Sequence, residues 1–315
     1  MQNSSFGTYF LLSAYGNIIN SNYLYFSIVL ILYLLVITLN LIFISVVYLE
    51  RTLHKPMYIF MCNLSANELY GSTALYPFLL NNLLSDSHDI SRISCLIQVF
   101  LIHLYGSLEF TILTVMSYDR YVSICYPLQY PVIMSPFKIG LLIVLIWVFN
   151  IFKVSITLVL TAGLPLCGNI IEKVYCDNFS VVKLACNDIT SLNIYLLTNI
   201  ATTVCIQCFL IIWSYVRILQ VCLKFGKESQ AKAVATCTPQ LIIIINYGIA
   251  CSFETIQSRF NMKHIPIVVR IILSVYFLVL PPLLNPVIYG VKNQQIKMTV
   301  KKIFLTKIKG NQIYG

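Results

Sequence analysis

The residues MSYDRYVSICYPLQY, Met116 to Tyr130, decide the fold, because they mark where a long, mostly apolar run ends in charge. That run extends from Val99 to Val115, and Asp119, Arg120 and Tyr121 stand about one turn beyond it. A carboxylate beside a guanidinium is tolerated at such a border because the two charges partly cancel, and a tyrosine anchors well at a membrane interface. Taken alone, the three residues have two readings. They are an ion pair that only fixes the depth of a helix in a bilayer, or part of a longer motif, for which three residues are weak evidence.

Outward from this stretch the chain is unusually apolar. Its 315 residues are 58% hydrophobic and 10% charged, against about 25% charged in soluble domains. A water-soluble fold would leave too much apolar surface exposed. Apolar runs fall at 24–49, 57–80, 96–125, 138–161, 192–222, 233–255 and 265–290. Each is long enough to cross about 30 Å of hydrocarbon as a helix. The fold class is therefore all-α, a seven-transmembrane-helix bundle. Pro56 opens the second run, where its missing N–H costs nothing. Cys95 and Arg120 lie 25 residues apart, roughly 37 Å of helix, so the third helix must tilt.

Sidedness follows from Lys and Arg. One side takes Arg51, Lys55, Arg120, Lys138, Arg217, Lys224, Lys227 and Lys232, together with the six lysines from Lys292 to Lys309. The other takes Arg92, Lys173, Lys183, Arg259, Lys263 and Arg270, and Lys153 sits inside the fourth run. The positive-inside rule places the N-terminus outside. The chain then divides into an extracellular N-terminus (1–23), a helix bundle (24–290) and a cytoplasmic tail (291–315) with a short amphipathic helix after the seventh span. The net charge of +10 is read as attraction of the basic tail to anionic inner-leaflet lipid, not to nucleic acid. No basic n-region precedes the first run, so no cleaved signal peptide is expected. Asn3-Ser4-Ser5 is a glycosylation sequon usable on a lumenal end. No internal repeat is visible, which argues against transporter designs built on inverted halves.

Of eleven cysteines, Cys95, Cys167, Cys176 and Cys186 fall on the oxidising outer side. Four cysteines allow three pairings, and their spacing holds no Cys-x-x-Cys metal pattern. The other seven read as reduced packing residues. No nucleophile elbow or phosphate loop appears, so no enzyme is expected and no catalytic residue is named. A retinal photoreceptor needs a Schiff-base lysine, and Ile265 to Gly290 has none.

With Cys125 and Pro127-Leu128-Gln129-Tyr130 added, the opening stretch resembles the third-helix signature of olfactory receptors within the rhodopsin-like G-protein-coupled receptors. Further stretches are similar to family motifs: Leu53-His54-Lys55-Pro56-Met57-Tyr58, Asn40 in the first helix, Lys232-Ala233 with Thr236-Cys237, and Pro282 to Tyr289, PLLNPVIY. The outer loop has the family's long three-cysteine form, and Asn67 to Gly71, NELYG, suggests a fish member. Three positions depart from the pattern. Glu68 stands for the usual Asp, Gln240 for a frequent His and Leu39 for the usual Gly.

The resemblance implies an odorant receptor that binds a small soluble molecule in the outer half of the bundle and activates a stimulatory heterotrimeric G protein, raising cAMP. It implies a multi-pass plasma-membrane protein of olfactory sensory neuron cilia. It implies disulfides Cys95–Cys176 and Cys167–Cys186, with no cofactor beyond a bound sodium ion as the family's candidate. Glu68 and Glu109 are expected to meet near Asn40 and Asn285, where two like charges need a shared proton or a cation. Asn285, Pro286 and Tyr289 read as a kinked switch in which the Asn285 amide bonds a freed carbonyl. Arg120 is expected to pair with Asp119 at rest and, with Tyr121 and Tyr215, to serve coupling. His103, Ser107, Lys153, Tyr247 and Arg259 are the candidate ligand contacts. Arg259 has alternatives in lipid headgroups or Glu254, and the ligand's charge stays open.

Overall fold

The computed structural model describes residues 8–17, 22–224, 226–259, 267–292, 296–299 and 301, with a few side chains in the last two long helices, Arg259 among them, outside that description. Seven long helices form an all-α bundle: α1 (Asn22–Leu49), α2 (Pro56–Leu84), α3 (Arg92–Cys125), α5 (Pro136–Ala162), α7 (Thr190–Cys222), α8 (Lys227–Arg259) and α9 (Ile267–Lys292). Two short helices, α4 (Tyr130–Ile133) and α6 (Asn178–Val182), lie in the loops that follow α3 and α5.

Among the described residues, α1, α3, α5, α7 and the Cys237–Gln257 part of α8 are long and apolar enough to cross a membrane. The second helix falls short on apolarity, although all seven runs had been read as spans. Its polar residues Asn67, Glu68, Ser72 and Asn82 are buried, so they dilute its composition while facing protein, where lipid never meets them. The described apolar part of α9 is Val275–Gly290. Side chains that reach lipid, among them Leu34, Val144, Ile206 and Ile245, are exposed and apolar. Most of the segment read as an amphipathic helix after the seventh span, and Asn3, lie outside the described residues.

The third helix runs through the middle, packed against α2, α5, α7 and α8. Ser91 caps its first turn by accepting from the Ser94 amide at 3.1 Å. Arg92 donates to the carbonyl oxygens of Ala162 (2.8 Å) and Leu164 (3.0 Å), where α5 ends. A cation there complements the negative end of the helix dipole. Gly71 lets α2 approach α3 closely. A Cβ at that position would meet Tyr105 Cδ2 at 2.3 Å, and Tyr105 is fully buried.

On one face the loops are covered by a small sheet of β1 (Tyr9–Leu12), β2 (Asp89–Ser91) and β3 (Ile170–Ile171), in the order β2-β1-β3. The first strand runs antiparallel to β2 and parallel to β3. Residues 1–23 had been read only as an extracellular end, yet Phe10, Leu12 and Tyr15 are buried there. Tyr15 donates to the Val174 carbonyl at 2.8 Å and stacks on His88 at 4.8 Å. Four short residues of alternating burial give too little periodicity for a sequence reading to detect. The disulfides Cys95–Cys176 and Cys167–Cys186 lie on this same face, so it is the oxidising, outer one and the N-terminus is outside.

Candidate functional site

The inward polar residues of α1, α2, α3 and α9 converge on one joint. Asn285 donates its side-chain amide to Glu68 Oε1 and, at 2.9 Å, to Glu109 Oε1. Asn67 donates to Glu109 Oε2 at 3.0 Å and to the Tyr105 carbonyl at 3.1 Å. Both carboxylates are fully buried. Pro286 cannot donate a backbone N–H to the Pro282 carbonyl one turn earlier, so that oxygen needs another donor. Asn40 supplies it, at 3.0 Å, and also donates to the Val36 carbonyl at 3.0 Å. The sequence reading had Asn285 bonding the freed carbonyl. The first helix does it instead, because Asn285 is drawn to the two carboxylates, which are stronger acceptors.

The joint has more acceptors than donors. Glu68 Oε2, Asn40 Oδ1, Asn67 Oδ1 and Asn285 Oδ1 are buried without a hydrogen-bond partner among the described residues. Among the described residues no group of three His, Cys, Asp or Glu side chains gathers there. The surplus is amide and carboxylate oxygen, which suits a small hard cation better than a transition metal.

At the inner end, Asp119 Oδ1 accepts from the Tyr130 hydroxyl at 2.8 Å. Among the described residues no ion pair forms between Asp119 and Arg120, which corrects the expected resting pair. A buried carboxylate takes the donor that the loop helix α4 presents, and Arg120 Nε is left without a hydrogen-bond partner among the described residues. Burial, reinforced by the charge of Asp119, pushes the Tyr130 hydroxyl up, so it remains a donor at any physiological pH. Tyr121 packs on Trp213 of α7, ring centroids 4.8 Å apart, and its hydroxyl donates to that of Tyr126 at 3.3 Å. Tyr215 lies in an apolar cluster with Ile218, Cys222 and Cys237. Tyr289 is buried, its hydroxyl without a hydrogen-bond partner among the described residues.

The candidate ligand contacts are held separately. Ser107 donates to Asn150 Oδ1 at 2.7 Å, part of a polar patch in which Gln207 donates to Thr111 at 2.9 Å. Tyr247 donates to the Gly106 carbonyl at 2.7 Å. Those two hydroxyl protons therefore join α3 to α5 and α3 to α8. His103 Nδ1 lies 3.2 Å from the Val99 carbonyl oxygen, leaving Nε2 unassigned. Lys153 is half-buried, with no carboxylate within ion-pair distance among the described residues. The side chain of Arg259 lies outside the described ones.

Several site residues were not legible in the sequence. Gln240 donates to Ser117 Oγ at 3.1 Å and to the Leu113 carbonyl at 3.3 Å, tying α8 to α3. Glu254, which the sequence offers as an alternative partner for Arg259, accepts from Lys173 at 2.5 Å and from Tyr175 at 2.9 Å. A polar residue inside an apolar span was the available signal for Gln240. Nothing local signals a pairing of residues 173 and 254.

A family model described as olfactory receptor matches residues 29–307. Among curated relatives, olfactory receptor 1496 of Rattus norvegicus is 33% identical over 96% of this chain and 97% of its own length. Olfactory receptor 1E16 of Mus musculus is 36% identical over 89% of each chain. Olfactory receptor 10G4 of Homo sapiens is 35% identical over 96% of this chain and 97% of its own.

Proposed function

Because the chain belongs to the olfactory receptor family, we propose that this multi-pass membrane protein binds a small soluble odorant in the outer half of the bundle and activates a stimulatory heterotrimeric G protein, raising cAMP. The observation that carries the reading is the buried joint of Glu68, Glu109, Asn285 and Asn40. It links four spans beside a proline kink, and a kinked, polar, fully buried junction is the kind of element that holds two arrangements. Asp119, Arg120, Tyr121 and Tyr215 at the inner end are the coupling residues in this reading. Asn285, Pro286 and Tyr289 form the switch.

Glu68 and Glu109, with the amide oxygens of Asn40 and Asn285, are the groups that would hold a sodium ion. When bound it supplies positive charge that balances the two carboxylates and the orphaned oxygens. His103, Lys153 and Arg259 supply cationic or polar contacts to the ligand. The cytoplasmic tail from residue 291 meets anionic lipid, residues 1–23 are extracellular and carry glycan at Asn3, and the receptor serves in the cilia of olfactory sensory neurons. The test is a cAMP screen of soluble odorants, grouped by charge, on cells displaying the chain. No response to any group at confirmed surface display refutes the reading.

A further inference from the structure

Five consecutive residues of the outer loop fasten three different parts of the molecule. Lys173 donates to Glu254 of α8 at 2.5 Å and lies 3.4 Å from Asp177. The Val174 carbonyl accepts from Tyr15 of the N-terminal segment at 2.8 Å. The Tyr175 hydroxyl donates to the same Glu254 oxygen at 2.9 Å. Cys176 is bonded covalently to Cys95, and its backbone N–H donates to Gln98 Oε1 at 2.8 Å, both in the first turns of α3. Asp177 closes the strip onto Lys173 and caps α6 through the Ser180 amide at 3.4 Å.

Helix α8 is thereby attached to α3 at three levels, the middle one being the Tyr247 hydroxyl on the Gly106 carbonyl at 2.7 Å. Toward its inner half Gln240 reaches Ser117 and the Leu113 carbonyl. Toward its outer end, Glu254 reaches a strip that is itself covalently fixed to α3. Fourteen residues separate Gln240 from Glu254, about 21 Å along the helix. A rod held at its outer end as well as lower down cannot swing at that end until the outer attachment lets go. The outer attachment is well protected. The ion-paired side chains of Lys173 and Glu254 are 10% and 14% exposed, and Tyr175 is fully buried. Burial lowers the affinity of Lys173 for its proton, but Asp177 and Glu254 outweigh that effect and the net shift is upward. The ammonium therefore stays charged. With little water to replace it, a partner lost from a buried pair leaves an uncompensated charge.

We propose that the Lys173–Glu254 pair, with Tyr175 on the same oxygen, is an outer latch that holds the sixth spanning helix in its resting position through the disulfide-anchored loop, and that releasing it favours the coupled state. The inference rests on the receptor reading above. A population shift of this kind requires only that the contact exist in one state and be weaker in the other.

The test uses the full-length receptor at matched surface display, in four forms: wild type, Lys173→Met, Glu254→Gln and the double variant. Each single variant is expected to raise basal cAMP several-fold, and the double variant to rise no further, because either change opens the same contact. Glu254→Gln preserves shape and guards against loss through misfolding alone. A second measurement needs no G protein. Amide hydrogen exchange of the sixth spanning helix in lipid nanodiscs is expected to speed up in Glu254→Gln. Unchanged exchange, or single-variant effects that multiply in the double variant, overturns the latch. Faster exchange with flat cAMP in every form, odorant-treated wild type included, overturns the coupling reading and leaves the latch standing.

Discussion

The side-chain amide of Asn40 donates to the carbonyl oxygen of Pro282 at 3.0 Å, the acceptor that Pro286 leaves without its helical partner. A proline kink in a membrane helix is tolerated only where a neighbour re-satisfies the freed oxygen, because the hydrocarbon cannot. Here the neighbour is the first helix, so the shape of the seventh is set from outside it. Asn40→Leu keeps the bulk and removes both donated bonds. It is expected to cost about 1–3 kcal/mol, seen as a lower melting temperature of the detergent-solubilised receptor. A melting temperature equal to wild type would mean the kink needs no external donor.

Gly71→Ala probes the closest approach of α2 to α3. The new methyl would fall 2.3–2.5 Å from the Tyr105 ring. That ring is buried, and its hydroxyl donates to the Phe277 carbonyl at 3.3 Å, so it has little room to retreat. Overpacking of this kind typically costs about 1–3 kcal/mol. The expected result is reduced surface display and a lower melting temperature, recovered in part by the second-site change Tyr105→Leu. Normal display of Gly71→Ala alone would contradict the close packing.

How much of this could be read from the chain differs between the bundle and its outer face. Apolar runs separated by short loops specify helices through length and composition, and the Lys and Arg bias orients them, because both depend only on local sequence. The meeting of Glu68 with Glu109 and Asn285 was legible through the family motifs that place those positions. The bond from Asn40 to Pro282 was not, since a kink read within one helix gives the freed carbonyl to the amide beside it, Asn285. Tyr130 replaced Arg120 as the described partner of Asp119 because α4 folds back under α3, which loop composition does not reveal. Lys173 and Glu254 lie in a loop and a span with no shared pattern, and only the tertiary path joins them.

The pairing of Asp119 with Tyr130 changes what a mutation at the inner end should do. Tyr130→Phe removes the one hydrogen bond described on Asp119 and leaves its carboxylate buried. The nearest compensation is the Arg120 guanidinium beside it in sequence, which would be drawn inward and withheld from the G protein. Tyr130→Phe should therefore need more odorant for a half-maximal cAMP response, at unchanged surface display. Arg120→Ala should abolish the response. A leftward shift in Tyr130→Phe, or a normal response in Arg120→Ala, would remove these residues from the coupling path.

The surplus oxygens at the buried joint lead to a salt prediction. If sodium balances Glu68 and Glu109 in the resting arrangement, raising external sodium at constant ionic strength should weaken the odorant response by population shift. Glu109→Gln removes one of the two charges that attract the ion and should flatten that dependence. Choline replaces sodium in the control arm. The same sodium dependence in wild type and Glu109→Gln would leave the carboxylates with a structural role only.

The ligand's charge is open to a direct comparison. Lys153 stands half-buried in α5 with no carboxylate within ion-pair distance among the described residues, and His103 has a ring nitrogen not assigned to any bond. A desolvated cation favours a carboxylate or sulfate, and a charge-assisted hydrogen bond there contributes about 1.5–3 kcal/mol. At roughly 1.4 kcal/mol per decade, this is a ten- to hundred-fold gain in potency for an acid over its amide. The measurement is a dose–response series of carboxylates and their matching amides and alcohols on wild type, Lys153→Met and Arg259→Ala. An anionic ligand predicts that acids lead in wild type and lose that lead in at least one of the two variants. Amides as potent as the acids, or acids unaffected by both substitutions, would show that these cations serve the bundle and its lipid border rather than the odorant.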